Sequence, residues 1–83
     1  MSKFAFTFGL AYDLHDKFIV VEAEDRATAR ALFVAARAVA GNVEDSAHRW
    51  SFQYPVDEKW AETAERFELT EVPLDTPINW RDD

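Results

Sequence analysis

The sequence predicts a single α+β domain in which a four-stranded, mostly antiparallel sheet packs against one long helix. Short segments rich in aromatic and β-branched residues alternate in the period of a strand, and an alanine-rich segment between them has helical spacing. The 83 residues leave room for only one hydrophobic core. We expect the element order β-β-α-β-α-β, with residues 1–74 as the domain and 75–83 as an extended C-terminal tail.

The first two strands form a predicted hairpin. Residues 3–8 alternate so that Phe4, Phe6 and Phe8 lie on one face, as a half-buried strand requires. Residues 17–22 are rich in β-branched side chains and follow after a polar connection.

The long helix is predicted over residues 26–40. Asp25 is suited to cap its N terminus, and Gly41 with Asn42 gives a stop signal. At 100° per residue, four apolar side chains gather on the side that we expect to pack on the sheet, namely Leu32, Ala35, Ala36 and Val39.

The third strand is predicted over residues 49–54, with its aromatic side chains in the core: Trp50, Phe52 and Tyr54. Asp57 is suited to cap a short helix at 58–65 that turns Trp60 inward. A fourth strand is expected to begin at Phe67 and to end before Pro73.

Composition excludes several classes of protein. The chain has no cysteine, so it holds neither a disulfide framework nor a thiolate metal site. No segment is long and apolar enough to predict a membrane span, and a net charge of −7 disfavours direct binding of nucleic acid. We expect no cofactor, no membrane association and a cytoplasmic location.

The charge is concentrated toward the C terminus. Residues 57–83 hold nine acidic and three basic residues, a net charge of −6, whereas residues 1–56 have a net charge of −1. An acidic ridge is predicted at Glu58, Glu62, Glu65, Glu68 and Glu71, and a basic seam at Arg26, Arg30 and Arg37. Each has two interpretations, a solvated face or a surface that binds a partner of opposite charge.

Catalytic signals are weak. Asp13, His15 and Asp16 lie within one short loop and are of the types that ligate metals, but the only other histidine, His48, is distant in sequence. A solvated turn explains the same residues, and the chain has no glycine-rich phosphate loop or nucleophile motif. We therefore expect a protein that is not an enzyme and that has no metal site.

Five blocks of sequence together resemble a group of small uncharacterised acidic phage and prophage proteins: FAFTFG, VVEA, AR, WSFQY and ERFELTEV, at residues 4–9, 20–23, 29–30, 50–54 and 65–72. The similarity covers residues 3–74, while the connection at 38–47 and the tail after Leu74 depart from the group. The resemblance brings no catalytic residues. It implies a context in which small acidic phage proteins bind and disable a host protein, as anti-CRISPR proteins do.

The resulting hypothesis is a non-enzymatic, anti-CRISPR-like inhibitor in a bacterial host cell. Its acidic ridge would act as a nucleic-acid mimic and bind a host protein or ribonucleoprotein with a basic surface. The alternative is an accessory domain that self-associates or binds an apolar partner through its sheet. A metal-dependent enzyme using the loop at 13–16 is the third hypothesis, and the sequence leaves monomer and dimer open.

Overall fold

The fold is an α+β domain with a four-stranded sheet and, among the described residues, two helices. A computed structural model describes residues 1–10, 12–39 and 51–79, and of residues 37–39 it describes only the backbone. Its elements are β1 (Ser2–Thr7), β2 (Lys17–Ala23), α1 (Arg26–Val39), β3 (Phe52–Pro55), α2 (Glu58–Arg66) and β4 (Thr70–Glu71). The predicted fold class is therefore confirmed.

The four strands form one sheet in the order β3-β1-β2-β4. β1 pairs antiparallel with β2, as the hairpin prediction requires, and also antiparallel with β3, whereas β2 and β4 run parallel. β1 and β2 are central, while β4 is a two-residue strand at one edge. The sheet is thus mostly antiparallel with one short parallel pair.

Both described helices begin at the predicted aspartates. A carboxylate oxygen of Asp25 accepts a hydrogen bond of 2.8 Å from the Thr28 amide, and one of Asp57 accepts a bond of 2.9 Å from the Trp60 amide. Each bond satisfies an amide that has no partner in the first turn of a helix. The predicted N-caps are confirmed, and they fix where each helix leaves the sheet.

The main core lies between the sheet and α1. Phe6 and Phe33 are fully buried, and their rings stack at a centroid distance of 4.2 Å with an interplanar angle of 2°. Phe8 lies against the same Phe33 ring at 6.1 Å. The prediction that Phe4, Phe6 and Phe8 form a buried face is confirmed.

The predicted inward face of α1 is wrong. Ala29 and Phe33 are fully buried, whereas Leu32 is 45% exposed and Ala35 is also exposed. Ala29 lies one turn before Phe33, and its small side chain lets the helix approach the sheet closely. The Phe33 ring fills the space beside Phe6. The helix is consequently rotated by about one residue from the predicted orientation, or about 100°.

The predicted inward face of β3 is wrong as well. Gln53 and Ser51 are buried, whereas Phe52 and Tyr54 are exposed, the former by 55%. Gln53 pairs with Phe6 in the sheet and therefore shares the face that α1 covers. Trp50, the third member of the predicted aromatic set, lies outside the described residues.

The segment after α2 differs from the predicted fourth strand. Phe67 is the C-cap of α2 and is 63% exposed, and only Thr70–Glu71 pair with β2. Farther along, Ile78 is buried in the main core. The Asn79 amide donates to the Asp13 carboxylate over 3.1 Å, while the Asp13 amide donates to the Asn79 carbonyl over 2.9 Å.

Candidate functional site

The first candidate surface is a line of three glutamates on α2, here called the glutamate stripe: Glu58, Glu62 and Glu65. All three are exposed, and at 100° per residue they lie opposite Trp60, the buried residue of the helix. None of them forms a salt bridge with another residue in the described part of the chain. The predicted stripe is therefore present and solvated, with its carboxylates available to a partner.

The other two glutamates of the predicted ridge lie beyond the helix. Glu68 follows the C-cap, and Glu71 lies on the edge strand β4; both are exposed. The acidic positions thus run from the outer side of α2 to one edge of the sheet. Only the stripe itself has the regular spacing of a helix face.

Glu68 has a backbone conformation that favours glycine. Its φ is 54°, and its amide donates to the Glu65 carbonyl while the Leu69 amide donates to the Ala64 carbonyl. This pair of bonds is a Schellman motif, in which the left-handed residue is usually glycine. A glutamate is doubly unfavourable here, because its side chain strains the backbone and its charge lies near the negative end of the helix.

The second candidate site is a cleft between α2 and the sheet face opposite α1, here called the aromatic cleft. Its volume is about 780 Å³, within the range of sites that accept small molecules or large side chains. Strands β1 and β3, the loop before β2 and the helix all contribute to its lining. Its aromatic and aliphatic lining residues, apart from His15, are Phe8, Tyr54, Pro55, Trp60, Phe67 and Leu69.

One wall of the aromatic cleft is rigid and the other is exposed. Tyr54 stacks on Trp60 at a centroid distance of 5.4 Å with a 23° interplanar angle, and Phe18 meets Trp60 edge-on at 5.3 Å. These contacts leave Trp60 only 6% exposed, which fixes its ring. Phe67 has most of its surface in solvent and offers a second ring to a bound group.

Four acidic or basic side chains also line the aromatic cleft. Asp57 is held as the N-cap of α2, and a carboxylate oxygen of Asp16 lies 3.3 Å from the Lys17 ammonium. Partial desolvation raises the pKa of Asp16, but the hydrogen bond and charge of Lys17 outweigh it, so this pKa lies below its ordinary value of 3.8. Asp16 is therefore ionised at neutral pH. The remaining two of these residues are Lys59 and His15.

The sequence prediction missed this cleft. It assigned Tyr54 to the core and Phe67 to a strand, whereas the cleft requires both rings to flank Trp60 from separate elements. The available signal was the turn from Pro55 to Asp57, which brings the start of α2 back over β3. Spacing along the chain does not reveal a contact of this kind, because it depends on which sheet face β3 presents.

The basic seam is part of the fold. Arg26 donates to the Gln53 carbonyl over 3.0 Å, and the Gln53 side-chain amide donates to the Arg26 carbonyl over 2.9 Å. Arg30 lies 3.5 Å from the Ser51 hydroxyl. Arg26 and Arg30 therefore join α1 to the segment at residues 51–53, and the Arg37 side chain lies outside the described set.

The loop that suggested a metal site has other contacts. Asp13 accepts the Asn79 amide and Asp16 pairs with Lys17, so both carboxylates have partners within the protein. Across residues 1–10, 12–39 and 51–79, no three histidine, aspartate or glutamate side chains come together as metal ligands do.

Comparison with known proteins supplies no relative: no family model, no curated protein and no solved structure matches this chain. Among the described residues, no helix has the length and apolar character needed to cross a membrane. Function must therefore be inferred from the glutamate stripe and the aromatic cleft, the two exposed features that the fold builds around α2.

Proposed function

We propose that this chain is a non-enzymatic inhibitor that docks its acidic C-terminal third on a basic surface of another protein. The partner is a protein or ribonucleoprotein whose basic surface binds nucleic acid, and the glutamates occupy the positions of phosphates. The observation that carries the proposal is the glutamate stripe, three exposed carboxylates in one line that make no salt bridge within the described residues.

Electrostatics supports this choice of partner. Glu58 and Glu62 are one turn apart, and like charges at that spacing destabilise a helix by about 0.2–0.5 kcal/mol per pair. Residues 57–83 have a net charge of −6, so the stripe lies in the most acidic part of the chain. A basic surface would relieve the repulsion, and its attraction would raise the rate of encounter.

The backbone at Glu68 supports the same proposal. Glycine would relieve strain at a φ of 54°, so stability does not account for a glutamate there. Residues in strained conformations are concentrated at functional sites, where a property other than stability is needed. At position 68, glutamate provides a further carboxylate next to the glutamate stripe, and this carboxylate accounts for the choice of residue.

The setting that fits this chemistry is a phage protein acting inside a bacterial cell. The sequence blocks that resemble small acidic phage proteins suggest a host target, and an anti-CRISPR-like inhibitor is the most concrete version. Occupying a nucleic-acid site requires only a rigid arrangement of carboxylates, which a domain of 83 residues can provide without a catalytic pocket.

The test is capture of a partner from bacterial lysate, followed by binding measurements with that partner. The variant Glu58→Lys, Glu62→Lys, Glu65→Lys should abolish binding, since loss of one partner of a buried, hydrogen-bonded charge pair costs about 2–5 kcal/mol and the reversed charges would repel a basic surface. The matched control makes the same total charge change at exposed acids elsewhere, with Glu22→Lys, Glu24→Lys, Asp75→Lys. Circular dichroism of both variants checks that the fold is kept.

The two variants distinguish binding through the glutamate stripe from binding that depends only on the net charge of the protein. Binding by the control but not by the stripe variant supports the proposal, and wild-type binding should weaken steeply with salt. Equal loss in both variants would show that net charge alone is responsible. Normal binding by the stripe variant would exclude the glutamate stripe as the contact surface.

A second function is favoured by exposed apolar side chains on β3. Phe52 and Tyr54 point away from the main core, and Val56 just beyond the strand is also exposed. Apolar side chains grouped in this way are typical of contact surfaces between proteins. If this face binds an apolar partner or a second copy, Phe52→Ser should disrupt the complex, and the complex should resist salt in sizing experiments.

A further inference from the structure

The side of the domain away from β3 combines an open strand edge with an apolar side of α1. We propose that this side is the interface of a symmetric dimer, in which β2 pairs antiparallel with β2 of a second copy and the two α1 helices pack side by side. The inference goes beyond the proposed function, and it uses neither the glutamate stripe nor the exposed residues of β3.

The open strand edge is the outer edge of β2. The Phe18 carbonyl accepts the Val72 amide, so the even-numbered residues of β2 direct their backbone groups toward the β4 side. β4 ends at Glu71 and pairs with only the first two residues of β2. In the described part of the chain, the amides and carbonyls of Val20 and Glu22 therefore have no backbone partner, and a further strand can bind them.

The spacing of these groups suits a second copy of the same strand. A two-fold axis through Val21 places Val20 opposite Glu22 of the second copy, and Glu22 opposite Val20 of that copy. Each pair exchanges two N–H···O bonds, so four hydrogen bonds form between identical surfaces. A register shifted toward Phe18 is blocked, because the Phe18 carbonyl already accepts the Val72 amide.

The apolar side of α1 lies next to this edge. Arg30 reaches Ser51, just before β3, and therefore marks the side of the helix that faces β3. At 100° per residue, Leu32 lies about 160° around the helix from Arg30. Because β3 and β4 are at opposite edges of the sheet, Leu32 faces the outer edge of β2. Leu32 is 45% exposed and Ala35 is also exposed, so this side of the helix is uncovered.

The two helices of the dimer would lie at packing distance. Phe33 stacks on Phe6, and Phe6 pairs with Ile19, so Leu32 lies close to the level of Val20 and of the proposed axis. α1 contacts β2 and reaches β1 through Phe33, and a helix centred between these strands lies about half a strand spacing inside β2. Across the new strand pair, the helix axes are about two strand spacings apart, or about 10 Å, which is the separation of packed helices.

Charge and area both favour a second copy as the occupant. Between residues 27 and 36, Arg30 is the only charged residue, and it faces Ser51, so the exposed side of α1 offers no charge to an acidic or a basic partner. The helix and strand layers form a side roughly 20 Å long and 20 Å deep, which corresponds to on the order of 1,000 Å² of accessible surface buried in total. This area is at the low end for dimers, so we expect dissociation at micromolar concentrations.

The experiment is sedimentation equilibrium of the full chain at concentrations from about 1 µM to 1 mM, which should show a monomer–dimer equilibrium. Salt should strengthen the dimer, because it screens the repulsion between two copies that each have a net charge of −7. Amide hydrogen exchange at Val20 and Glu22 should slow as the concentration rises. The Glu71 amide, which points away from β2, is the control and should exchange at a constant rate.

A proline tests the strand pairing. Glu22→Pro removes an amide that points out of the sheet, a position where edge strands tolerate proline. It deletes two of the four intermolecular hydrogen bonds and should weaken the dimer by about ten-fold or more. Glu22→Thr is the matched control, because it removes the same charge but keeps the amide, and it should dimerise at least as tightly as the wild type.

A charge tests the helix contact without changing the strand. Leu32→Glu brings two carboxylates together near the axis and should weaken the dimer by about ten-fold or more. Ala31→Glu makes the same charge change at an exposed position one residue earlier, on the side of α1 that points away from the sheet, and should change dimerisation by less than about two-fold. Circular dichroism verifies that all four variants keep the fold.

A monomer at every concentration would overturn the dimer, and so would equal weakening by Leu32→Glu and Ala31→Glu. A dimer that is lost in Phe52→Ser but kept in Leu32→Glu would place the contact on β3 and overturn this interface as well. The variant with lysines in the glutamate stripe should dimerise normally, because α2 lies on the sheet face opposite α1. Failure of the dimer and failure of the proposed function are thus read from separate variants.

Discussion

Arg26 and Gln53 exchange two hydrogen bonds that join α1 to β3. Each side chain donates to the backbone carbonyl of the other residue, over 3.0 Å and 2.9 Å. Gln53 is buried, so its amide needs a partner within the protein. The pair explains how an amide, and not an aromatic ring, occupies the inner face of β3.

We expect Gln53→Ala to lower the free energy of unfolding by about 1–3 kcal/mol, because the bond to the Arg26 carbonyl is lost and a cavity forms. Urea denaturation measures the change. Glu24→Gln, at an exposed position of the turn before α1, serves as a control and should change stability by less than about 0.5 kcal/mol. A similar effect of both substitutions would contradict the inward orientation of Gln53.

The orientation of α1 predicts unequal effects at two adjacent residues. Phe33→Ala should lower the free energy of unfolding by about 3–5 kcal/mol, because the ring stacked on Phe6 is lost from a closed core. Leu32→Ala should cost less than about 1 kcal/mol, because that side chain is 45% exposed. If chemical denaturation showed a larger loss of stability for Leu32→Ala than for Phe33→Ala, the inward face predicted from the sequence would be correct instead.

Glycine at position 68 should stabilise the protein. Glu68→Gly is expected to raise the free energy of unfolding by about 0.5–1 kcal/mol, because the left-handed backbone of the Schellman motif no longer carries a side chain. Glu65→Gly, three residues earlier within α2, should lower it by about 1 kcal/mol. Equal destabilisation by the two glycines would show that residue 68 does not have a positive φ in solution.

The N-cap of α1 should make stability depend on pH. Hydrogen bonds from Thr28 hold the pKa of Asp25 below its ordinary value of 3.8. A depressed folded-state pKa means that the carboxylate stabilises the fold at pH values above its ordinary pKa, and that this stabilisation is lost as the pH falls through the folded-state pKa.

Asp25→Asn isolates that contribution, since asparagine also caps helices but does not titrate. Urea denaturation from neutral to acidic pH should show wild-type stability falling relative to the variant below the ordinary pKa of aspartate. Parallel curves for the two proteins would mean that the Asp25 carboxylate has the same pKa in the folded and unfolded chains.

The sequence predicted the period of each segment more reliably than the face it buries. For β1 the period was sufficient, because the side chains between Phe4, Phe6 and Phe8 are small. In β3 the two faces carry Gln53 and Tyr54, and α1 covers one side of the sheet while α2 lies over part of the other. Alternation cannot then indicate which set turns toward α1.

The same distinction applies to the candidate site. The glutamate stripe was predictable, because helix periodicity places residues 58, 62 and 65 together whatever the helix packs against. The aromatic cleft was not, because it depends on the tertiary contact of Tyr54 with Trp60. In α1, alanines on most sides of the helix left little contrast, and the position of one ring, Phe33, decided the orientation.

The pairing of β3 with β1 also bears on how this protein avoids aggregation. The Val56 amide donates to the Lys3 carbonyl, which fixes the alternation of hydrogen bonds so that Gln53 and Pro55 direct their backbone groups away from the sheet. Pro55 has no amide hydrogen, and the Gln53 carbonyl is already bonded to Arg26. An incoming strand would find few free partners along these two residues, so this edge is a poor template for intermolecular β-sheet growth.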